Sequence, residues 1–279
     1  IGKTSVKENL NYFLGSFCKV SASIKSYNNL LGVIISILNL DLKSEYAIFE
    51  IGTNNFDEIK KLTEIIQPSQ IIITNIYPTH LEKLINTRNI AEEKSDIFNP
   101  NFNKDVELVV LSNNNEDENF IFQKALKLNS FKIYSIGKDN KSNLRNIEIK
   151  SFNDLYSEVN FIYENTQIFF KIPNNQVIRI NNILICFCIF VYNKISLEIF
   201  KSLSSHVPLV EGRGLEINIT INNKNIKFID ESYNASPKSM KSTIDYFSSI
   251  KTVKNQKKLL ILGDMMELGI DSISYHEEL

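Results

Sequence analysis

Hydrophobic positions divide the first half of the chain into two alternating kinds of segment. In one kind, apolar residues recur at every third or fourth position, as on the buried face of a helix. In the other, short continuous apolar runs are typical of buried strands. The pattern predicts helices over 5–17, 32–40, 56–66, 89–98 and 120–128, and strands over 45–52, 70–76, 107–113 and 131–137. This alternation indicates an α/β fold with a mostly parallel sheet flanked by helices.

The first predicted helix has one strongly apolar face. Its apolar residues have the spacing of a buried helical stripe, and they are Val6, Leu10, Phe13, Leu14 and Phe17. We therefore expect this face to pack into the core.

The pattern changes after about residue 145, where apolar and polar positions alternate over 158–163 and 167–172. Period-two alternation predicts antiparallel hairpins. They would form a small meander at one edge of the sheet. Two further helices are predicted between residues 182 and 205.

A hinge is predicted next, because Pro208, Gly212 and Gly214 lie close together. A second α/β series follows it. The series consists of a strand over 226–232, a helix over 237–250 and a strand over 257–264.

Composition limits the classes of function. The chain has 279 residues, 43% of them hydrophobic, and its 31 basic and 32 acidic residues give a net charge of -1. This balance indicates a globular protein without the basic surface that nucleic acid needs. Three cysteines make neither a disulfide framework nor a zinc site, which fits a reducing cytoplasm. The apolar run 183–192 is too short to span a membrane.

The candidate chemistry begins at the first residues, which read IGKTS. Gly2, Lys3, Thr4 and Ser5 match the second half of a phosphate-binding loop, and a predicted helix follows as that motif requires. The exposed amides at the start of that helix would face phosphate. The glycine-rich first half of the motif is missing, so we expect the chain to be a fragment that begins inside the loop. A plainer interpretation makes Lys3 a surface lysine and Thr4 a helix cap.

Polar residues also follow the predicted strands. Glu50, Asn75, Asn113 and Asp230 each end a strand, and His80 lies in the loop after Asn75. Ligands of open parallel sheets bind at this edge. Each residue alone could be a helix cap or a solvated side chain.

The half-motif and the strand ends together predict a nucleotide site. Lys3 would contact the terminal phosphates, while Thr4 and Glu50 would supply the oxygen ligands that Mg²⁺ prefers.

Several longer motifs resemble those of the Mur ligases of peptidoglycan synthesis. The motifs are EIGTNNFDEI, TNIYPTHLEKL, NIAEEKSDIF, the GRG of the hinge, IDESYNASPKSM, and LGDMMELG followed by His276. The last two most resemble the type that adds D-alanyl-D-alanine to UDP-N-acetylmuramoyl-tripeptide. The similarity runs in the same order through nearly the whole chain.

The resemblance implies a domain organisation. Residues 1–210 resemble the central ATP-binding domain, truncated at its P-loop, and residues 211–279 resemble the start of a C-terminal Rossmann-like domain. The family's UDP-binding N-terminal domain has no counterpart here. The 279 residues alone are therefore expected to be nearly inactive.

The resemblance also implies a stepwise reaction. ATP phosphorylates the terminal carboxylate of UDP-N-acetylmuramoyl-tripeptide, and the amine of D-Ala-D-Ala then displaces the phosphate. ATP and two Mg²⁺ ions are the implied cofactors. We expect a cytoplasmic monomer without membrane insertion and without a nucleic-acid partner.

Residue roles follow by position in the matching motifs. Thr4 and Glu50 would hold the first metal ion, and His80 would help to hold the second. Lys94 matches a lysine that CO₂ carbamylates, although the pattern alone indicates an ordinary surface lysine. Carbamylation requires an environment that lowers the lysine pKa.

Further matches concern the two substrates. Gly2 to Ser5 and Asn182 would contact the nucleotide, and Asn28 and Asn29 the UDP-linked substrate. The other nucleotide contacts implied by the resemblance are Arg213, Asp230, Tyr233 and Asn234.

The chain departs from the family pattern before Asn182, where it has Gln176, Ile178 and Arg179. Three alternatives stay open at this stage: another Mur ligase or a folylpolyglutamate synthase, a nucleotide-binding module that has lost ligation, and a P-loop kinase. The hinge and the second series give a kinase no role.

Overall fold

The structure, a computed structural model, describes residues 2–79, 81–99, 101, 105–128, 130–138, 142–252 and 256–279. Its helices are α1 (Lys3–Gly15), α2 (Leu30–Leu38), α3 (Glu58–Ile66), α4 (Leu81–Leu84), α5 (Thr87–Ser95), α6 (Glu116–Leu126), α7 (Ile180–Tyr192), α8 (Leu197–Ser204), α9 (Pro237–Ser249) and α10 (Ser272–Glu277). Its strands are β1 (Val20–Ala22), β2 (Tyr46–Ile48), β3 (Gln70–Ile73), β4 (Leu108–Asn113), β5 (Lys132–Gly137), β6 (Leu144–Ser151), β7 (Tyr156–Tyr163), β8 (Thr166–Pro173), β9 (Leu215–Ile221) and β10 (Lys224–Asp230). Short 3-10 helices cover Asp96–Phe98, Asn174–Arg179 and Gly269–Asp271.

The chain forms two compact units. One contains residues 1–76 and 88–208, and the other contains residues 77–87 and 209–279. The assignment of 1–210 and 211–279 as two ligase domains stays a prediction.

The first unit contains a six-stranded sheet in the order β3-β4-β5-β6-β7-β8. Neighbours from β3 to β6 are parallel, and β6, β7 and β8 form an antiparallel meander. The meander joins β5 through a single parallel pair, Ile136 with Leu144. Strands β1 and β2 form a separate parallel pair. The predicted α/β fold, with a mostly parallel sheet and an antiparallel edge, is therefore confirmed.

Helix α7 is the centre of the core of this unit. Every residue from Ile183 to Phe190 is buried, including Cys186 and Cys188. The helix packs on α1, β4 and β5. Its burial explains the length of this apolar run, because a helix that is hydrophobic all round needs protein on every side.

Aromatic rings join α1, α7 and α8. The ring of Phe200 lies 4.9 Å from that of Phe13 and 5.3 Å from that of Phe190, centroid to centroid. All three residues are almost fully buried.

The 3-10 helix Asn174–Arg179 and α7 together form a helical stretch, Asn174–Tyr192, that is long and apolar enough to cross a membrane. Half of its apolar window is buried inside the protein.

The apolar face of α1 is confirmed for four of its five predicted residues. Val6, Leu10, Phe13 and Leu14 are buried. The prediction was wrong for Phe17, which is 43% exposed. The helix ends at Gly15, so Phe17 no longer follows the helical stripe, although its ring still contacts Phe190.

The second unit contains a hairpin that the sequence pattern did not predict. Strands β9 and β10 pair antiparallel along their whole length, and α9 follows at the predicted place. The predicted strand over 257–264 does not form. Its apolar residues are exposed, with Leu259 at 78% and Ile261 at 82%, because no neighbouring strand in the described part of this unit pairs with them.

Candidate active site

The start of α1 meets the start of α7. Gly2 is the N-cap of α1 and has a left-handed backbone, with φ of 80°. A Cβ atom placed on Gly2 would lie 2.9 Å from Oδ1 of Asn182. The predicted phosphate end and adenine end of the nucleotide site are therefore neighbours in the first unit.

The first turn of α1 presents the rest of the half-motif. Thr4 and Ser5 are buried within this turn, and Lys3 is close enough to Lys94 for its positive charge to lower the pKa of Lys94. Two cations held near each other favour an anion between them.

Glu50 lies just after β2 and is only 4% exposed. Its Oε1 accepts a hydrogen bond of 2.9 Å from Nδ2 of Asn28, and its backbone N–H donates to Oγ of Ser23 at 3.0 Å. Its other carboxylate oxygen, Oε2, is buried and has no hydrogen-bond partner. An unpartnered buried carboxylate oxygen is costly. A hard cation such as Mg²⁺ would satisfy it, so Glu50 fits the metal that the motif implies.

Lys94 lies near the end of α5. Its Nζ donates a 3.0 Å hydrogen bond to the carbonyl of Asn75 at the end of β3. Part of the side chain is accessible, but protein surrounds the ammonium group, and this burial is the main reason that its pKa falls to about 7. Lys3 lowers the pKa further, and the carboxylate of Glu118 opposes the shift.

Glu118 is a buried acid that sequence reasoning missed. Its carboxylate accepts from the backbone N–H groups of Ile76, at 3.2 Å, and Asn114, at 2.8 Å. It therefore ties the end of β3 to the end of β4 beside Lys94. Burial raises the pKa of Glu118, against these hydrogen bonds. Its position in the first turn of α6, after an Asn cap, was the available sequence signal.

Glu93, the residue before Lys94, was also missed. It is 2% exposed, and its carboxylate accepts from the backbone N–H groups of Asp57, at 2.8 Å, and Ile59, at 2.9 Å. These groups belong to the start of α3. A carboxylate there satisfies free helix amides and complements the helix dipole. Glu93 thus fixes α5, and with it Lys94, against α3.

Three other predicted site residues, Asn28, Asn29 and His80, have different outcomes. Asn29 caps α2, because its Oδ1 accepts from the backbone N–H of Gly32 at 2.9 Å. Asn28 contacts Glu50 as described. His80 lies outside the described residues. Among the residues that the structure does describe, no three His, Cys, Asp or Glu side chains gather into a metal-binding cluster.

The divergent residues before Asn182 form the 3-10 helix that leads into α7. Gln176 is buried, and its Nε2 lies 3.2 Å from the carbonyl of Val207 and 3.0 Å from that of Pro208. Arg179 donates to the carbonyl of Asn175 at 3.2 Å. Hydrogen bonds therefore connect this segment to its neighbours despite its unusual sequence.

In the second unit, the predicted nucleotide residues lie around one turn. The Arg213 guanidinium stacks over the ring of Tyr233, 4.1 Å from its centroid. Hydrogen bonds from the side chain and backbone of Ser232 lower the pKa of Asp230. Asn234 uses Oδ1 to accept from the backbone N–H of Ala235.

The sequence matches the Mur ligase middle domain over residues 1–190. It is 35% identical to a UDP-N-acetylmuramoyl-tripeptide--D-alanyl-D-alanine ligase of Rickettsia prowazekii, over 100% of this chain and 60% of that protein. The enzyme of the same name from Bacillus subtilis is 29% identical, over 99% of this chain and 57% of that protein. The chain thus spans three fifths or less of the length of these relatives.

Solved structures agree in fold. MurF from Acinetobacter baumannii superposes with a TM-score of 0.83 at 23% identity, over 100% of this chain and 58% of that one. MurF ligase from Thermotoga maritima, in complex with ADP, gives 0.81 at 22% identity, over 99% of this chain and 61% of that one. Since the family match extends over more than half of its residues, this chain belongs to the Mur ligase family.

Proposed function

We propose that the full-length protein joins D-Ala-D-Ala to UDP-N-acetylmuramoyl-tripeptide at the expense of ATP, in the cytoplasm. The name shared by the Rickettsia and Bacillus relatives supports this specificity. The main structural support for the proposal is that the first unit contains both a pair of neighbouring lysines and a buried carboxylate. Two lysines, Lys3 and Lys94, lie close together, and a buried carboxylate, Glu50, has an unpartnered oxygen.

This arrangement addresses the electrostatic difficulty of the reaction. A carboxylate must attack the γ-phosphorus of ATP, so one anion approaches another. The Lys3 ammonium would bind the γ-phosphate and spread its charge. Two Mg²⁺ ions would neutralise phosphate charge when bound, with Thr4 and Glu50 as ligands of the first ion and His80 helping to hold the second.

The bonds change in two steps. A carboxylate oxygen of the tripeptide forms a bond to the γ-phosphorus, and the bond to ADP breaks. The amine nitrogen of D-Ala-D-Ala then forms a bond to the acyl carbon, phosphate leaves, and the amine loses a proton. The protein's role is to hold the groups in line and to compensate charge.

We infer that Lys94 is carbamylated. The ammonium group would lose one proton, and the neutral amine would attack CO₂, form an N–C bond and release a second proton. An anion thereby replaces a cation. A lysine with its ordinary pKa is neutral only about once in a few thousand molecules at pH 7. A pKa of about 7 makes the neutral form common, and this supports the assignment. The resulting carboxylate would be a further metal ligand.

Phosphate release tests the proposal. The full-length protein should release phosphate from ATP only with UDP-N-acetylmuramoyl-tripeptide and D-Ala-D-Ala together, and other amines should be poor substitutes. Glu50→Gln should abolish turnover. An active site for another ligase would prefer a different amine, and a nucleotide-binding module would bind ATP without turnover.

A second experiment tests the carbamate. Removal of CO₂ and bicarbonate should slow the wild type, and Lys94→Ala should be inactive. A short carboxylate such as formate or acetate should partly rescue Lys94→Ala. Equal rates with and without CO₂, and no rescue, would argue for an unmodified lysine.

A further inference from the structure

Lys7 is a buried cation that no motif singled out. It lies one helical turn after Lys3 on α1 and is only 2% exposed. Lysine is almost never this buried unless its charge is paired. Its role therefore depends on what its ammonium group binds.

The ammonium group of Lys7 is bound by groups of the protein itself. Nζ donates to the carbonyl of Ser23 at 2.7 Å and to the carbonyl of Lys25, and it forms an ion pair with Glu8 at 2.7 Å. An ammonium group has three N–H bonds and no acceptor. The Lys7 ammonium group is therefore bound by two backbone carbonyls of the protein, and the Glu8 carboxylate balances its charge.

The two carbonyls belong to the loop that connects β1 to α2. Lys25 has a left-handed backbone with φ of 48°, which is unfavourable for a residue other than glycine. The hydrogen bond from Lys7 holds this conformation in place. In this way, α1 fixes the course of the loop.

The same loop surrounds Glu50 from two sides. Ser23, which binds Lys7 through its carbonyl, uses its Oγ to accept the backbone N–H of Glu50 at 3.0 Å. Asn28 lies farther along the loop. Its side-chain Nδ2 donates to Oε1 of Glu50, and its backbone carbonyl accepts from the backbone N–H of Gly52 at 2.8 Å. A Cβ atom on Gly52 would lie 2.8 Å from the Asn28 carboxamide, so the packing here has no spare room.

We propose that Lys7 is a positioning residue that fixes the loop 23–28 and thereby holds the free oxygen of Glu50 in place for a divalent cation. The cation part of this inference rests on the proposed function. Lys7 acts through Ser23 and Asn28 and touches no reacting atom. It links the helix that carries Lys3 to the carboxylate that would hold the metal.

The test compares Lys7→Met with Glu8→Gln in the full-length protein. Methionine has nearly the length of lysine but no donors. Glutamine at position 8 keeps an oxygen acceptor beside Lys7 and leaves both loop carbonyls bonded to it, so this variant removes the counter-charge alone. Hydrogen exchange is followed at the amides of Glu50 and Gly52, and Mn²⁺ affinity is measured by electron paramagnetic resonance with a non-hydrolysable ATP analogue.

In Lys7→Met, the two amides should exchange at least about tenfold faster, and Mn²⁺ should bind about 10 to 100 times more weakly, as for other residues that support metal ligands. Glu8→Gln should match the wild type in both measurements. If Lys7→Met does not fold, Ser23→Ala replaces it, because it removes the acceptor of the Glu50 amide and should weaken Mn²⁺ binding similarly.

Unchanged exchange and unchanged Mn²⁺ affinity in a folded Lys7→Met protein would overturn the inference, even if that variant melts at a lower temperature. Failure of the proposed function gives a different result. In that case the wild type itself would release no phosphate, while the exchange measurement would still report on the loop.

Discussion

The buried carboxylate of Glu93 gives a prediction whose magnitude follows from its contacts. Glu93→Ala removes the acceptor of two backbone N–H groups at the start of α3, those of Asp57 and Ile59. The Thr53 hydroxyl also lies 3.2 Å from Glu93, but its single hydrogen is nearer to the carbonyl of Asn55, at 2.7 Å. We therefore count only the two backbone bonds.

Hydrogen bonds to a charged group contribute about 1.5–3 kcal/mol each. Water can reach the Asp57 amide after truncation, but the bond of Ile59 is buried. The expected loss in the free energy of unfolding is therefore about 3 kcal/mol, near the lower end for two such bonds. For a domain of this size, this corresponds to a fall in Tm of about 6–12 °C.

Thermal and urea unfolding, followed by circular dichroism, would measure the loss. Glu93→Gln keeps one oxygen acceptor and should lose about half as much. The matched control is Glu92→Ala, one residue earlier, whose side chain is exposed and pairs with Arg88 only at 3.9 Å. It should change stability by no more than about 0.5 kcal/mol. A Glu93→Ala protein as stable as the Glu92→Ala control would refute the capping argument.

Three further predictions concern the phosphate loop, the buried lysine and the core. Gly2→Ala should weaken ATP binding at least about tenfold in a nucleotide titration, because its φ is positive and its Cβ would collide with Asn182. In CO₂-free buffer, Lys94 binds fewer protons in the folded protein than in the unfolded protein between about pH 7 and its ordinary pKa of 10.5. The free energy of unfolding should therefore rise with pH across this window, by at most about 1.4 kcal/mol per pH unit. Lys94→Met should remove that part of the slope. Phe200→Ala should cost about 3–5 kcal/mol in urea unfolding, since it opens a cavity against Phe13.

Each of these has a contradicting result. Wild-type ATP affinity in Gly2→Ala would mean that Gly2 does not approach the nucleotide. Identical pH profiles for the wild type and Lys94→Met would mean that Lys94 keeps its ordinary pKa. Phe169→Ala is the control for the core, because Phe169 is 54% exposed. Equal losses for the two phenylalanines would contradict the packing described here.

Most elements of the first unit were predictable because helix and strand periods differ and most of these elements bury an apolar face. Helix α7 illustrates this, since its continuous apolar run corresponds to full burial. The three-residue strand β1 was missed, since three residues are too few to show a period. The prediction of a strand over 257–264 was wrong because this apolar segment has no neighbouring strand among the described residues. An apolar run records the capacity to pair in a sheet, while pairing itself needs a neighbouring strand.

The sequence pointed to candidate site residues only where motif positions or strand ends marked them. Gly2, Glu50, Asn182 and Lys94 came from such positions. Glu93 and Lys7 were missed because they bind backbone groups. Every residue has the same backbone groups, so the sequence does not show which of them a side chain will bind. Hydrogen bonds to distant amides and carbonyls become visible only when the chain is folded.

The burial of α7 has a consequence for how a nucleotide would be received. Asn182 directly precedes the buried stretch Ile183–Phe190 of that helix, and Gly2 caps α1, which packs against it. The packing of α1 on α7 therefore fixes the spacing of these two candidate nucleotide contacts. Little ordering entropy should oppose association on this side of the pocket, so affinity here should depend on contacts more than on rearrangement.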